Sequence, residues 1–153
     1  MQTDHQLKKI SHSLVKALRR VPAFEALSDH DLVLIVGASM NLYYRAGSVV
    51  FEQGASAEAL YIVLTGKVRI YVETGGEKID VAGIGPGDFF GELALLREET
   101  HSKTAEAAEE SELMVIPEKS FQRLLASDSA LAEQVNEKME QRLRANVESL
   151  KLT

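Results

Sequence analysis

The feature that most constrains this chain is a change of period at Met40. Before it, apolar residues recur at helical spacing. After it, "MNLYYRAGSVVFEQGASAEALYIVLTGKVRIYVETGGEKIDVAGIGPGDFF" is rich in Val, Ile, Tyr and Phe and is cut by glycine every several residues. Such a run folds as short strands joined by tight turns. Gly47, Gly54, Gly66, the pair Gly75-Gly76 and Gly87 fall where strands reverse, and "ETGGEK" is a strong hairpin signal. Many short strands at this punctuation predict a double-sheet jelly roll or barrel.

Helices flank the roll. Leu7, Ile10, Leu14, Leu18 and Val21 form one stripe of an amphipathic helix that Pro22 stops, with Lys8, Lys9, Lys16, Arg19 and Arg20 mostly on its other faces. Ser28, with Asp31 three residues on, caps a second helix that Gly37 is expected to end. After the roll, Pro117 suits a first helical turn, and Ser127 or Asp128 can cap a longer last helix. Along it Leu131, Val135, Met139, Leu143, Val147 and Leu150 make one apolar stripe, which fits packing on the roll or a homodimer seam.

These elements define a single domain spanning 1–153. Its fold is mainly β with flanking α: N-terminal helices over about 1–38, a β-roll over 39–116, and C-terminal helices over 117–152. The composition agrees, with 45% hydrophobic and 26% charged residues in 153, enough to bury a core. A net charge of −6 gives no broad basic face for a duplex, so nucleic acid is not an expected partner. No run approaches the roughly 20 apolar residues of a membrane span, and no targeting segment is evident, so neither membrane binding nor any location but the cytoplasm is expected. The absence of cysteine excludes disulfides and thiolate metal sites. His5, His12 and His30 precede the roll and only His101 lies in it, so no metal centre is expected, and without a serine-histidine-acid signature neither is an enzyme.

The chemistry concentrates in "GDFFGELALLREETHSKTAEA", Gly87 to Ala107. Gly87 and Gly91 permit sharp turns, and "GELALL" starts a short helix whose unpaired N–H groups attract an anion. Phe89 and Phe90 are expected in the core or the pocket wall.

From about Leu18 to Leu125 the chain resembles the cyclic-nucleotide-binding domain family, of the catabolite-activator effector type. "LRRVPAFEALSDHDL" is similar to its N-terminal helical segment, "AGSVVFEQGASAEALYIVLTGKVRIY" to its first strands, and "GPGDFFGELALL" to the opening of its phosphate-binding cassette, which would span 87–107. The resemblance implies cyclic AMP or cyclic GMP as ligand, without choosing between them, and no resident cofactor. It implies that the amides of Gly91, Glu92 and Leu93 bind the cyclic phosphate and that Glu92 accepts a hydrogen bond from the ribose hydroxyl.

The family's phosphate-clamping arginine is missing. His101 takes its place, followed by Ser102 and Lys103, and the alanine at Ala107 falls into step in this register. In a strand His101 and Lys103 would share a face. Seven acidic residues against Arg97 and Lys103 between Glu92 and Glu112 further disfavour a phosphate. Loss of a charged hydrogen bond worth about 1.5–3 kcal/mol weakens binding about ten- to hundredfold. If His101 is the clamp, affinity should rise between about pH 8 and pH 6.

Two functions follow: a regulatory module that senses a nucleotide or other small anion and relays it through the C-terminal helices, or an interaction and dimerisation scaffold that has lost nucleotide binding. Relatives that bind DNA carry a helix-turn-helix domain after this module. With residues ending at Thr153, no recognition helix is expected here, so output would pass through a homodimer or a partner protein.

Overall fold

The computed structural model describes residues 14–20, 24, 27–92, 94, 100–130, 132–133, 136–137, 140–141 and 144. An N-terminal helical segment, α1 (14–19), precedes α2 (Asp29–Ala38). Eight strands follow: β1 (Met40–Tyr44), β2 (Val49–Phe51), β3 (Ala59–Thr65), β4 (Val68–Thr74), β5 (Glu77–Ile84), β6 (Phe89–Phe90), β7 (Thr104–Ala107) and β8 (Ser111–Pro117). Then comes α3 (Glu118–Ser127). The strands form two antiparallel four-stranded sheets, ordered β1-β8-β3-β6 and β2-β7-β4-β5, which is the expected jelly roll.

The strand "ALYIVLT" does not alternate apolar with polar, and the reason is that both of its faces are covered. Leu60 and Ile62 point out of the roll into a core shared with Leu18, Leu32, Ile35, Phe121 and Leu124 of the three helices. Ala59, Tyr61 and Val63 point inward into a second core with Val68, Ile70, Ala105 and Leu113. Ile62 is 0% exposed. Burying a side chain of that size contributes about 1.5–3 kcal/mol. Edge strand β5 is exposed over most of its length on both faces, Ile79 as well as Lys78 and Asp80, and is buried at Ile84.

Local signals act largely as expected. The Ser28 hydroxyl accepts from Asp31 N–H at 3.1 Å and caps α2. Gly37 does not end that helix, which runs on to Ala38, where the Ser39 amide and hydroxyl both close onto the Val36 carbonyl. Pro117 is the N-cap of α3 and the last residue of β8 rather than a residue of the first turn, because its ψ of 149° is still extended. Ser127 lies inside α3 with its hydroxyl on the Leu124 carbonyl, and Asp128 stands between the two C-terminal helices. Helical residues continue to 144, while Leu131, Val135, Met139, Leu143, Val147 and Leu150 lie outside the described residues, as do Leu7, Ile10 and Val21.

At the β4–β5 hairpin both Gly75 and Gly76 have positive φ, 59° and 82°, as a two-residue primed turn requires. Gly66, between β3 and β4, is more tightly constrained. Its φ is +91°, and a Cβ there would collide with the Ser111 hydroxyl and the Glu110 carbonyl and lie 2.7 Å from the Ser111 Cα. Ser111 in turn accepts the Lys67 amide at 3.1 Å, tying this turn to β8. Gly54, at φ +93°, has nothing within 4 Å of that position. Gly54→Ala should therefore cost only the left-handed backbone penalty of about 1–2 kcal/mol. Gly66→Ala should cost about 1–3 kcal/mol more through overpacking. Urea unfolding of the two variants checks this, and equal losses would contradict it.

Candidate functional site

β6 lies inside the segment 87–107, and the chain leaves the roll after it. Phe89 pairs with Ile62 and Phe90 with Tyr61, so successive rings enter different cores, Phe89 the one under the helices and Phe90 the one inside the roll. Both are core side chains, and Phe90 also lines the aromatic interior described below. The preceding turn is pinned to β3 from both sides: Gly87 N–H donates to the Val63 carbonyl and Val63 N–H to the Asp88 carbonyl, each at 3.0 Å. Asp88 caps the turn by accepting Phe89 N–H at 2.8 Å.

Gly91 then makes the sharp exit the sequence predicts. Its φ is +89°, and a Cβ would sit 3.1 Å from the Tyr61 ring and 3.3 Å from the Ala59 carbonyl. The backbone thus passes directly over β3. Glu92 follows as a helical residue and is 1% exposed, although an acidic residue in a helix's first turn is ordinarily solvated. Ala94 is also helical and buried. Leu93 and residues 95–99, with Arg97, Glu98 and Glu99, lie outside the described residues.

The chain returns at Thr100, which bridges to Ser56. His101 donates its amide to the Ala55 carbonyl at 2.8 Å and accepts Gly54 N–H at 2.7 Å, fixing it against the β2–β3 loop. Its imidazole is 5% exposed and stacks on Phe51, with ring centroids 3.6 Å apart and planes 9° from parallel. Among the described residues, Nε2 has no hydrogen-bond partner. Burial pushes the His101 pKa below the usual histidine value. At neutral pH the ring of the free protein is therefore neutral, and its charged form belongs below about pH 6.5.

Two further expectations change. Ser102 and Lys103 form a bend, and β7 starts only at Thr104, so the strand rule that would put His101 and Lys103 on one face does not apply. Lys103 is half-buried and Ser102 exposed. The acidic residues after the bend are also committed elsewhere. Glu106 pairs with Arg69 at 3.5 Å, Glu112 accepts from Asn41 at 3.0 Å, and Glu109 and Glu110 are exposed in the β7–β8 turn. They do not converge on His101.

Phe51 and Tyr61 pack against His101 and Gly91, and no local signal in the sequence marks them. Tyr61 stacks on Phe90 at 5.1 Å and lies 5.5 Å from Phe51, completing a row Phe90–Tyr61–Phe51–His101 across the roll interior. The Tyr61 hydroxyl is pushed up to about 12, by burial first and then by Tyr44 and Glu58. The pairing of β3 with β6 joins Tyr61 to Phe90, while Phe51 comes from β2 of the opposite sheet and His101 from the segment that precedes β7. Among the described residues no cluster of histidine and acidic side chains could hold a metal ion, and no helix is long and apolar enough to cross a membrane.

A buried neutral histidine links folding to pH. Its folded pKa is depressed, so its contribution is complete above the unfolded value near 6.5 and is lost as pH falls toward the folded value. Thermal unfolding from pH 7.5 to 5.0 should show stability falling below about pH 6.5, and His101→Gln should flatten that part of the curve. An unchanged slope in the variant would show that His101 is not the titrating group.

The profile of the cyclic nucleotide-binding domain matches residues 41–128. The cyclic AMP receptor protein of Thermus thermophilus is 32% identical over 124 residues, which cover 80% of this chain and 57% of the receptor, so the chain spans little more than half of that relative. A lysophospholipase of Aspergillus fumigatus is 36% identical over 105 residues, 68% of this chain and 7% of that protein. Among solved structures, the sensor domain of the transcriptional regulator DNR from Pseudomonas aeruginosa superposes with a TM-score of 0.80 at 25% identity, covering 92% of this chain and 95% of that one. With the jelly roll, the glycine turn and the buried cassette glutamate in place, the chain belongs to the cyclic nucleotide-binding domain family.

Proposed function

We propose that this chain is a regulatory, non-catalytic module, acting in the cytoplasm, that binds a small ligand inside the roll and relays binding through its C-terminal helices. The ligand is a nucleotide or another compact anion, held by Gly91, Glu92 and Leu93 on one side and by the His101–Lys103 bend on the other. The observation that carries this reading is the burial of Glu92. An ordinary first-turn glutamate faces water, whereas this one is held inside by a glycine turn packed on Tyr61. The receptor relative is named for cyclic AMP, which makes cyclic AMP and cyclic GMP the first ligands to test.

The relay has a physical path. Phe89 lies two residues before Gly91 and shares its core with Phe121 and Leu124 of α3. A ligand that binds one cassette position better than another shifts Phe89 and, through it, the packing of α3. Isothermal titration should detect cyclic AMP or cyclic GMP, with affinity about ten- to hundredfold below that expected with an arginine at 101. Absence of heat and of competition at millimolar ligand would remove the cyclic-nucleotide version.

The second reading, a dimerisation scaffold without ligand, is favoured by the aromatic row, in which His101 lies flat on Phe51 inside the roll. Both readings use the Leu131 to Leu150 stripe as a homodimer or partner seam. Leu143→Lys should lower the mass measured by light scattering from dimer to monomer, and an unchanged mass would rule out that seam.

A further inference from the structure

The position that the resemblance gives to the clamping arginine holds a histidine, a side chain that can be cationic or neutral. His101 is fixed by two backbone hydrogen bonds to Gly54 and Ala55, stacked on Phe51 and 5% exposed, and its Nε2 lacks a partner among the described residues. We propose that an anionic ligand entering the roll is bound together with one proton on His101, so that the module answers to ligand and acidity jointly. This rests on the reading of the roll as an anion site given above.

A buried imidazole sheds its proton because the charged form loses hydration, and burial is the sole resolved cause of the shift at His101. The surrounding elements hold few charges that could retain that proton. On the β2 side, Phe51 and the Gly54–Ala55 backbone meet the ring and its main chain, and Glu52, at the end of that strand, is exposed. On its own segment Lys103 is half-buried and would oppose a second positive charge. Behind Phe51 lies Tyr61, whose hydroxyl stays protonated. On the cassette side, among the described residues, the titratable groups are Glu92, buried at the start of the helix, and Asp88 in the turn before β6. An anion arriving beside Nε2 changes this balance, because a negative charge within a few ångströms favours imidazolium and turns Nε2 into a charged donor. The chemical step is a proton transfer from water or buffer acid to Nε2, with no bond to the ligand formed.

Linkage sets the form of the response. Affinity is weak and flat at pH values above the His101 pKa of the complex. It rises by at most about tenfold per pH unit as pH falls between the pKa of the complex and the lower pKa of the empty protein, and is flat again below. Within that window up to one proton is taken up per ligand.

The test is isothermal titration of the full chain with cyclic AMP and with cyclic GMP. It is run at pH 5.5, 6.5 and 7.5 in buffers of different ionisation enthalpy, for the unaltered protein, His101→Arg and His101→Gln. The proposal expects affinity to rise as pH falls, with proton uptake approaching one in the unaltered protein. It expects tighter binding by His101→Arg without uptake, and weak binding without uptake by His101→Gln. If His101→Arg binds and the unaltered protein binds with no pH dependence or proton uptake, the coupling is refuted while the anion site stands. Equal uptake in His101→Gln also refutes it, by placing the proton elsewhere. If neither the unaltered protein nor His101→Arg binds either nucleotide, the anion site itself fails and the coupling with it.

Discussion

The structure depends on one strand being buried on both faces. β3 places Leu60 and Ile62 among the helices and Ala59, Tyr61 and Val63 inside the roll, so it belongs to both cores at once. Its neighbours inherit that double role. β8 puts Met114 and Ile116 on one side and Leu113 on the other, and β6 divides Phe89 from Phe90. β6 therefore touches both layers, and Phe89 joins the core that Phe121 and Leu124 of α3 close. The Gly87–Asp88 turn is held to Val63 by hydrogen bonds in both directions.

Burial also decides the character of the site. Glu92 and His101 are both nearly inaccessible, at 1% and 5%. For a histidine, burial of that degree disfavours the charged form. For His101 the surroundings are an aromatic face and backbone, which favour neutrality. Arginine in the same place would stay charged, whereas an imidazole is charged only conditionally. The acidic run that follows adds less repulsion than its count suggests, because Arg69 and Asn41 engage Glu106 and Glu112.

The sequence made the roll legible because turns and strands are local. Gly54, Gly66, Gly75, Gly76 and Gly87 all adopt the positive φ their spacing predicts, and Ser28 caps α2 through a contact three residues long. The sharp turn at Gly91 and the helical start at Glu92 were legible for the same reason, being adjacent. What could not be read was whatever depends on pairing between distant segments. Phe51 is 50 residues from His101, and nothing in "VVFEQG" signals that its ring lies under an imidazole. Pro117 and Gly37 were misplaced by one residue because terminal geometry is settled by tertiary contacts as much as by propensity.

The central claim is that His101 stands, uncharged, where an anion would summon its charge. The most direct measurement is a nitrogen-15 spectrum of histidine-labelled protein near pH 6.5, recorded with and without saturating cyclic AMP. The account predicts that the His101 ring nitrogens report a neutral imidazole in the free protein and move to imidazolium positions with ligand, while the exposed His30 stays as it was. An imidazolium already present in the free protein, or a His101 signal that ligand leaves unchanged, would contradict it.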